Sequence, residues 1–178
     1  MPELPEVEVL VRHLAPLLRG RTIRRVEVHR ARVLRPTPPR ELKAKLCGAR
    51  VVDLTRRGKF LLFTLHPAGR RSVTTLIGHL GMTGRMYLQP TRAPLPKHAA
   101  VVLGLGRENF VFEDTRYFGR FTLDTRAVAG LGPEPLSEDF TAEYFFGALR
   151  RSTQAVKIKL LDQALVAGVG NIYASEAL

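Results

Sequence analysis

Met followed by a small residue is usually cleaved, and removal of Met1 would leave Pro2 with a free secondary amine. An α-amino group titrates at about 8, well below a lysine side chain, so a useful fraction is unprotonated near neutrality. A secondary amine that attacks a sugar C1′ gives a cationic iminium directly, which is an electron sink for elimination chemistry. Glu3 and Glu6 lie close by in sequence, and a carboxyl group there could move protons. The same residues also make ordinary helix-start chemistry, because a proline and acids suit a first helical turn. Lys59 follows Arg56-Arg57-Gly58 and precedes the apolar run Phe60–Leu65, so it reads either as a functional ammonium at a strand entrance or as a solvated strand-end lysine.

A second group of residues suits contact with a base stack. Met82 sits in the turn-like string His79-Leu80-Gly81-Met82-Thr83-Gly84, too polar and flexible for deep core. An unbranched apolar side chain there can wedge into the gap left by an extruded nucleotide, or it can fold back onto the core. Arg116 and Phe118 are two residues apart, which on a strand puts them on one face and Tyr117 on the other. His79 and His98 could donate to phosphate or be structural. In Gly168-Val169-Gly170-Asn171 the glycines allow a tight turn, and Asn171 is expected to cap the helix that follows, whose exposed N–H groups attract phosphate.

Charge points to the same class of partner. Lys and Arg number 28 against 16 Asp and Glu, a formal net charge of +12, which favours a polyanion. From Arg12 to Arg107 there are 21 basic residues and only three acidic ones, Glu27, Glu41 and Asp53. A solvated basic surface in an arginine-rich proteome is the alternative. Cys47 stands alone, which excludes a disulfide framework or a cysteine metal site in these residues, so no cofactor is expected from them. The start PELPEVEV lacks the basic and apolar regions of a signal peptide, and no apolar run reaches membrane-spanning length. The expected location is the bacterial cytoplasm, with nucleoid association, and no membrane partner.

These residues need elements to hold them. Residues 5–18 carry an apolar stripe at Val7, Leu10, Val11, Leu14 and Leu18 and predict an amphipathic helix that Gly20 closes. Between Thr22 and Thr125 the pattern becomes short β-branched and aromatic runs broken by Gly and Pro. It predicts strands at 23–28, 51–54, 60–65, 73–77, 86–88, 99–105, 110–112 and 118–123, with a short helix at 40–46. Helices are expected at 142–150 and 156–166, and a third begins at 171. The fold class is therefore α+β: an N-terminal helix on an eight-stranded antiparallel β-sandwich, then a helical part. The expected division is a sandwich domain at 1–127, a linker at 128–136 and a helical domain at 137–178. Leu178 ends an apolar segment without Gly, Pro or a basic C-terminal signal, so the sequence reads as truncated.

The string Pro2-Glu3-Leu4-Pro5-Glu6-Val7-Glu8 resembles the start of bacterial formamidopyrimidine-DNA glycosylases. Five further segments agree in order: Arg56–Phe60, His79–Gly84, Asp114–Gly119, Leu131–Leu136 and Gly168–Glu176. The resemblance implies a base-excision repair enzyme, a glycosylase and abasic-site lyase acting as a monomer on double-stranded DNA with oxidised bases or abasic sites. It would remove 8-oxoguanine and formamidopyrimidines through a Pro2 Schiff base and then nick the strand by β-elimination. In that scheme Glu3 donates and accepts protons, and Lys59 is a general acid or phosphate contact. Met82 wedges, with Arg116 facing the orphaned base and Phe118 opening the stack. His98, Lys157 and Asn171 bind DNA, the last two in a helix–two-turn–helix element.

The chain departs from the family pattern at Thr115 and Tyr117, where Pro and a second Arg are common, and at Ser152, where a basic residue is usual. The family also closes with a four-cysteine zinc finger whose arginine serves δ-elimination, and nothing in these residues supplies it. Two alternatives follow. An endonuclease VIII-like branch would take oxidised pyrimidines, but it typically has Gly where Leu4 stands; a truncated chain could also be a non-catalytic nucleic-acid-binding module.

Overall fold

The computed structural model describes residues 2–178. Met1, whose removal the nucleophile reading requires, lies outside the described residues. Helix α1 spans Leu4–Leu18, one residue earlier than its apolar stripe predicts, because the chain is already held at Glu3. The Glu3 N–H donates to Glu6 Oε2 at 2.9 Å, and Pro5 occupies the first turn, where its missing N–H costs nothing. Val7, Val11, Leu14 and Leu18 are buried on one face, the spacing that 3.6 residues per turn requires.

The eight strands that the short β-branched and aromatic runs predict form two four-stranded antiparallel sheets. β1 (Arg25–Val28), β6 (Ala99–Gly104), β7 (Glu108–Glu113) and β5 (Arg85–Pro90) make one sheet in that order. β2 (Arg50–Arg57), β3 (Phe60–His66), β4 (Thr74–His79) and β8 (Arg120–Thr122) make the other. The first strand starts two residues later than expected because the chain crosses between sheets there. The Ile23 N–H donates to Ala49 O beside β2, and the next N–H, from Arg24, donates to Gly104 O on β6. The eighth also starts two residues late, since 114–119 is loop.

Between the sheets lie four phenylalanines. Phe121 packs on Phe63 at 5.8 Å, on Phe112 at 5.9 Å and on Phe110 at 6.0 Å between ring centroids. Helix α2 (Pro39–Leu46) buries Leu42 and Leu46 in the same core. A 3₁₀ turn at Ala31–Leu34, which no sequence pattern announces, anchors Val33 and Leu34 there.

The remaining helices are α3 (Arg126–Ala129), α4 (Ala142–Arg150), α5 (Val156–Leu161) and α6 (Asn171–Glu176). α5 stops five residues short of the expected end. The Asp162 carboxylate accepts the Ala164 N–H at 3.0 Å, a local turn that competes with continuing the helix. Leu160, Val166 and Ala174 form a small separate core.

Residues 131–134 are not a free tether. The Glu134 carboxylate accepts from Arg56 at 2.6 Å, Arg57 at 2.8 Å and the Gly58 N–H at 2.7 Å. Burial pushes this carboxyl up, but the Gly58 amide and the two guanidiniums outweigh it and hold it below the ordinary value. The turn between β2 and β3 is thereby fastened to the chain that leads into the helices. The Phe121→Ala chain is expected to lose about 3–5 kcal/mol in urea unfolding, the range for a fully buried aromatic. A loss under about 1 kcal/mol would show that the core does not centre on this ring.

Candidate functional site

Pro2 is half-buried and lines a cavity of about 500 Å³ with Met82, Thr83, Gly84, Arg85, Glu113 and Thr115. Pro2 and the expected wedge residue Met82 therefore open on one space. Glu3, next along, is almost fully buried, and its carboxylate reaches across the molecule to the start of α6. Oε2 accepts from the Gly170 N–H at 2.8 Å and from Tyr173 at 3.3 Å, while Oε1 accepts from Ile172 at 2.8 Å. These are the amides that a helix leaves unpaired in its first turn. The Leu4 N–H completes the seam by donating to Gly168 O at 3.1 Å.

Two expectations change here. The residue before α6 is Gly170, not Asn171. Asn171 is the first helical residue and exposed, with no hydrogen bond from its side chain among the described residues. The amides expected to attract phosphate are already taken by Glu3. Gly170 is required by closeness, since a Cβ at that position would collide with Glu3 Cδ. Glu6 is exposed and serves the backbone of Glu3, which is helix-start chemistry; no contact carries it into the cavity.

Lys59 is buried, which removes the solvated strand-end reading. It lies between β2 and β3, and no carboxylate stands within salt-bridge distance among the described residues. Burial pushes its ammonium below the usual lysine value, with the charge of Glu3 working against that shift. Its neighbours Arg56 and Arg57 are spent on Glu8 and Glu134. Lys59 is thus the cation of the Arg-Arg-Gly-Lys string that keeps no ion-pair partner.

His79 ends β4 with its ring 4.8 Å from that of Phe60. Its Nδ1 accepts the Gly81 N–H at 3.0 Å, so the proton of the neutral ring is on Nε2, the one nitrogen left to donate. Burial, then Lys59 and Arg120, pulls its pKa down to about 4, so His79 is neutral at physiological pH. His98 faces Tyr117, with Nδ1 3.3 Å from the hydroxyl.

Met82, Arg116 and Phe118 do come together, though not by strand alternation. Residues 114–119 form a loop in which Tyr117 takes φ of +53°. The Arg116 Nη1 lies 3.4 Å from Met82 Sδ, and its guanidinium sits 4.7 Å from the Phe118 ring centre. All three side chains are exposed. Asp114, fully buried, builds the cluster: it accepts from Thr83 Oγ at 2.6 Å, the Gly119 N–H at 2.8 Å and the Arg116 N–H at 3.1 Å. The two turns also touch through glycines, since a Cβ on Gly81 would lie 2.6 Å from Gly119 N. Sequence reasoning places Asp114 within a motif but assigns it no role. The signal that could have found it is a carboxylate followed at once by turn residues, as in an Asx turn.

Lys157 donates to Ser175 Oγ at 2.8 Å, and that hydroxyl donates to Asn171 O at 2.7 Å, so Lys157 and Asn171 share one side of α6. The residues present do not fit a four-cysteine zinc site. Cys47 is the chain's one cysteine, and among the described residues no three His, Cys, Asp or Glu side chains gather.

A family model described as the formamidopyrimidine-DNA glycosylase N-terminal domain matches residues 1–121, and the H2TH domain of the same enzymes matches residues 131–178. The formamidopyrimidine-DNA glycosylase of Carboxydothermus hydrogenoformans is 42% identical over all of this chain and 65% of its own length. That of Thermus thermophilus is 45% identical over all of this chain and 63% of its own. The chain thus spans just under two thirds of these relatives. A Lactococcus lactis Fpg structure in complex with abasic-site DNA superposes with a TM-score of 0.89 at 36% identity, covering 99% of this chain and 65% of that one. Another, with DNA containing N7-benzyl-Fapy-dG, gives 0.90 at 36% identity, covering 99% and 66%.

The Gly170→Ala substitution must push the Glu3 carboxylate off the α6 amides, and a loss of about 2–3 kcal/mol in denaturant unfolding is expected. Unchanged stability would mean that the seam is not a structural tie. For His79, the folded pKa of about 4 lies below the ordinary value of 6.5, so the unfolded chain binds the extra proton between those values. Stability is full above about pH 6.5 and falls as pH drops toward 4, by about 2 kcal/mol between pH 7 and 4.5 from this group. Urea midpoints for the unsubstituted and His79→Gln chains should therefore converge on acidification; parallel curves would refute a buried neutral imidazole.

Proposed function

The chain belongs to the formamidopyrimidine-DNA glycosylase family, and from that membership we propose that it excises oxidised purines from double-stranded DNA and then cleaves the abasic site. The observation that supports this reading is the cavity shared by Pro2 and the exposed Met82, where removal of Met1 would leave the Pro2 amine facing the same space as the proposed wedge. A nucleotide flipped from the stack costs a few kcal/mol. Met82, Arg116 and Phe118 would offset that cost by filling the gap, and the basic surface would hold the phosphates.

After removal of Met1, the Pro2 nitrogen attacks C1′ as the N-glycosidic bond breaks and the base leaves with the bonding pair and a proton. Loss of the nitrogen proton gives a neutral N-glycoside, and the iminium forms when the C1′–O4′ bond breaks and O4′ takes up a proton. A proton then leaves C2′, the C3′–O bond breaks, and the 3′ phosphate departs: this is β-elimination. Lys59 suits the role of proton donor, because a cation whose pKa is pulled down by burial releases its proton more readily than a solvated lysine. Glu3 places Pro2 and sets the field at Lys59. The substrates in this reading are 8-oxoguanine and formamidopyrimidines, and the location is the bacterial cytoplasm. No helix is long and apolar enough to cross a membrane among the described residues.

Two experiments test the reading. Borohydride reduction with an abasic duplex is expected to trap a covalent adduct for chain whose mass shows Met1 removed, and to trap none for the Pro2→Gly chain. Absence of adduct from the processed chain at low salt would leave a DNA-binding module instead. Paired duplexes with 8-oxoguanine and thymine glycol should show excision of the purine lesion first; faster release of the pyrimidine overturns the substrate class.

A further inference from the structure

The 3₁₀ turn at Ala31–Leu34 lies beside the wedge loop, and two arginines at its start, Arg30 and Arg32, play no part in the cavity or its ties. The Arg30 guanidinium sits 5.3 Å from the Tyr117 ring centre, and that of Arg32 sits 5.8 Å from the ring of Phe118. Both arginines are exposed, and neither has a carboxylate within salt-bridge distance among the described residues. Arg30 gives one N–H to His29 O at 3.1 Å, which leaves most of its five donors unused. The platform beneath them is fixed. Val33 and Leu34 are fully buried, and Thr37 Oγ meets Thr122 Oγ at 2.8 Å while accepting the Leu123 N–H at 3.0 Å, which ties the turn to β8.

We propose that Arg30 and Arg32 form a phosphate-binding rim that grips the sugar–phosphate backbone of duplex DNA beside the step that Met82, Arg116 and Phe118 open. The inference rests on the DNA reading above and adds to it residues outside the cavity. Aromatic faces hold a guanidinium by cation–π attraction and orient it, yet they leave its charge unneutralised and its edge free to donate. Phe118 carries Arg116 as well as Arg32 near its ring, so the proposed wedge and the proposed rim share one side chain. Tyr117, which carries Arg30 on its ring, also meets His98 through its hydroxyl, 3.3 Å from Nδ1.

The salt dependence of binding reads phosphate contacts directly, with the slope of log Kobs against log salt changing by about 0.9 per phosphate. The test is anisotropy titration of the 178-residue chain against a fluorescent duplex bearing a tetrahydrofuran abasic analogue, between about 50 and 200 mM KCl. The Arg30→Gln/Arg32→Gln chain is expected to lower the magnitude of that slope by about 1.8. It should weaken binding to undamaged duplex in parallel and unfold at an unchanged temperature. The reference is Arg70→Gln/Arg71→Gln, two exposed arginines between β3 and β4 at the far end of β4 from His79, and its slope should match the unsubstituted chain.

A slope unchanged in the Arg30/Arg32 variant overturns the rim while leaving the DNA reading intact. An equal fall in the Arg70/Arg71 variant also overturns it, because the effect would then be net charge alone. Failure of the unsubstituted chain to bind the duplex at low salt removes both the rim and the reading beneath it.

Discussion

A carboxylate cannot be buried unless its lone pairs are met, and Glu3 meets that condition with three backbone amides some 170 residues away. Each partner needs the other. The first turn of α6 has orphan donors, and its glycine leaves no room for a side chain between backbone and acid. Because Glu3 is adjacent to Pro2, the seam also restrains the position of Pro2. Lys59 belongs to the same arrangement: its buried charge is opposed only by the field of Glu3, so removing that acid would change both the position of Pro2 and the acidity of the ammonium. Glu134 supplies a second tie between the sandwich and the helices through Arg56, Arg57 and Gly58. The two ties flank Lys59 in structure, since one grips the turn just before it and the other provides its counter-charge.

How far the sequence could be read differs between fold and site for a physical reason. Helix α1 and strands such as β3 were legible because burial on one face leaves a local period, which Val7, Val11 and Leu14 or Leu61, Phe63 and Leu65 carry openly, whereas β6 and β7 are buried on both faces and read as short β-branched and aromatic runs. Boundaries failed where a long-range bond decided them, as at Ile23 and Arg24, where the chain switches sheets. Asp162 ended a helix by a side-chain bond that apolar periodicity does not register.

The site was legible as a set of strings and not as a geometry. Pro2, Met82, Arg116 and Phe118 were named from residue type and resemblance. The reasons they converge lay in Asp114 and in the contact of Gly81 with Gly119, both between segments over 30 residues apart. Asn171 was misread because a Gly-Asn pair fits a side-chain cap equally well. Nothing local says that the cap would come from the other end of the chain. For Glu6 the helix-start reading held, since its carboxylate accepts the Glu3 N–H, while the pairing of Arg56 with two carboxylates had no local signal.

A net charge of +12 does not by itself say which arginines meet carboxylates and which do not. Arg12, Arg19, Arg21, Arg25, Arg56 and Arg57 each have a carboxylate within 3.0 Å, and of these Arg56 and Arg57 tie the β2–β3 turn to Glu134. Around Met82 the arginines are held differently. Arg30, Arg32 and Arg116 lie against aromatic rings, and Arg120 donates to the carbonyls of Phe118 and Gly119. A carboxylate orients an arginine by cancelling it, whereas a ring or a carbonyl orients it and leaves the positive field standing. For a surface that must meet a polyanion and also insert side chains into its stack, only the second arrangement serves both needs. The rings that hold these cations belong to Tyr117 and Phe118 of the 114–119 loop, so in the proposed DNA-binding role the positive field would be centred on the proposed wedge.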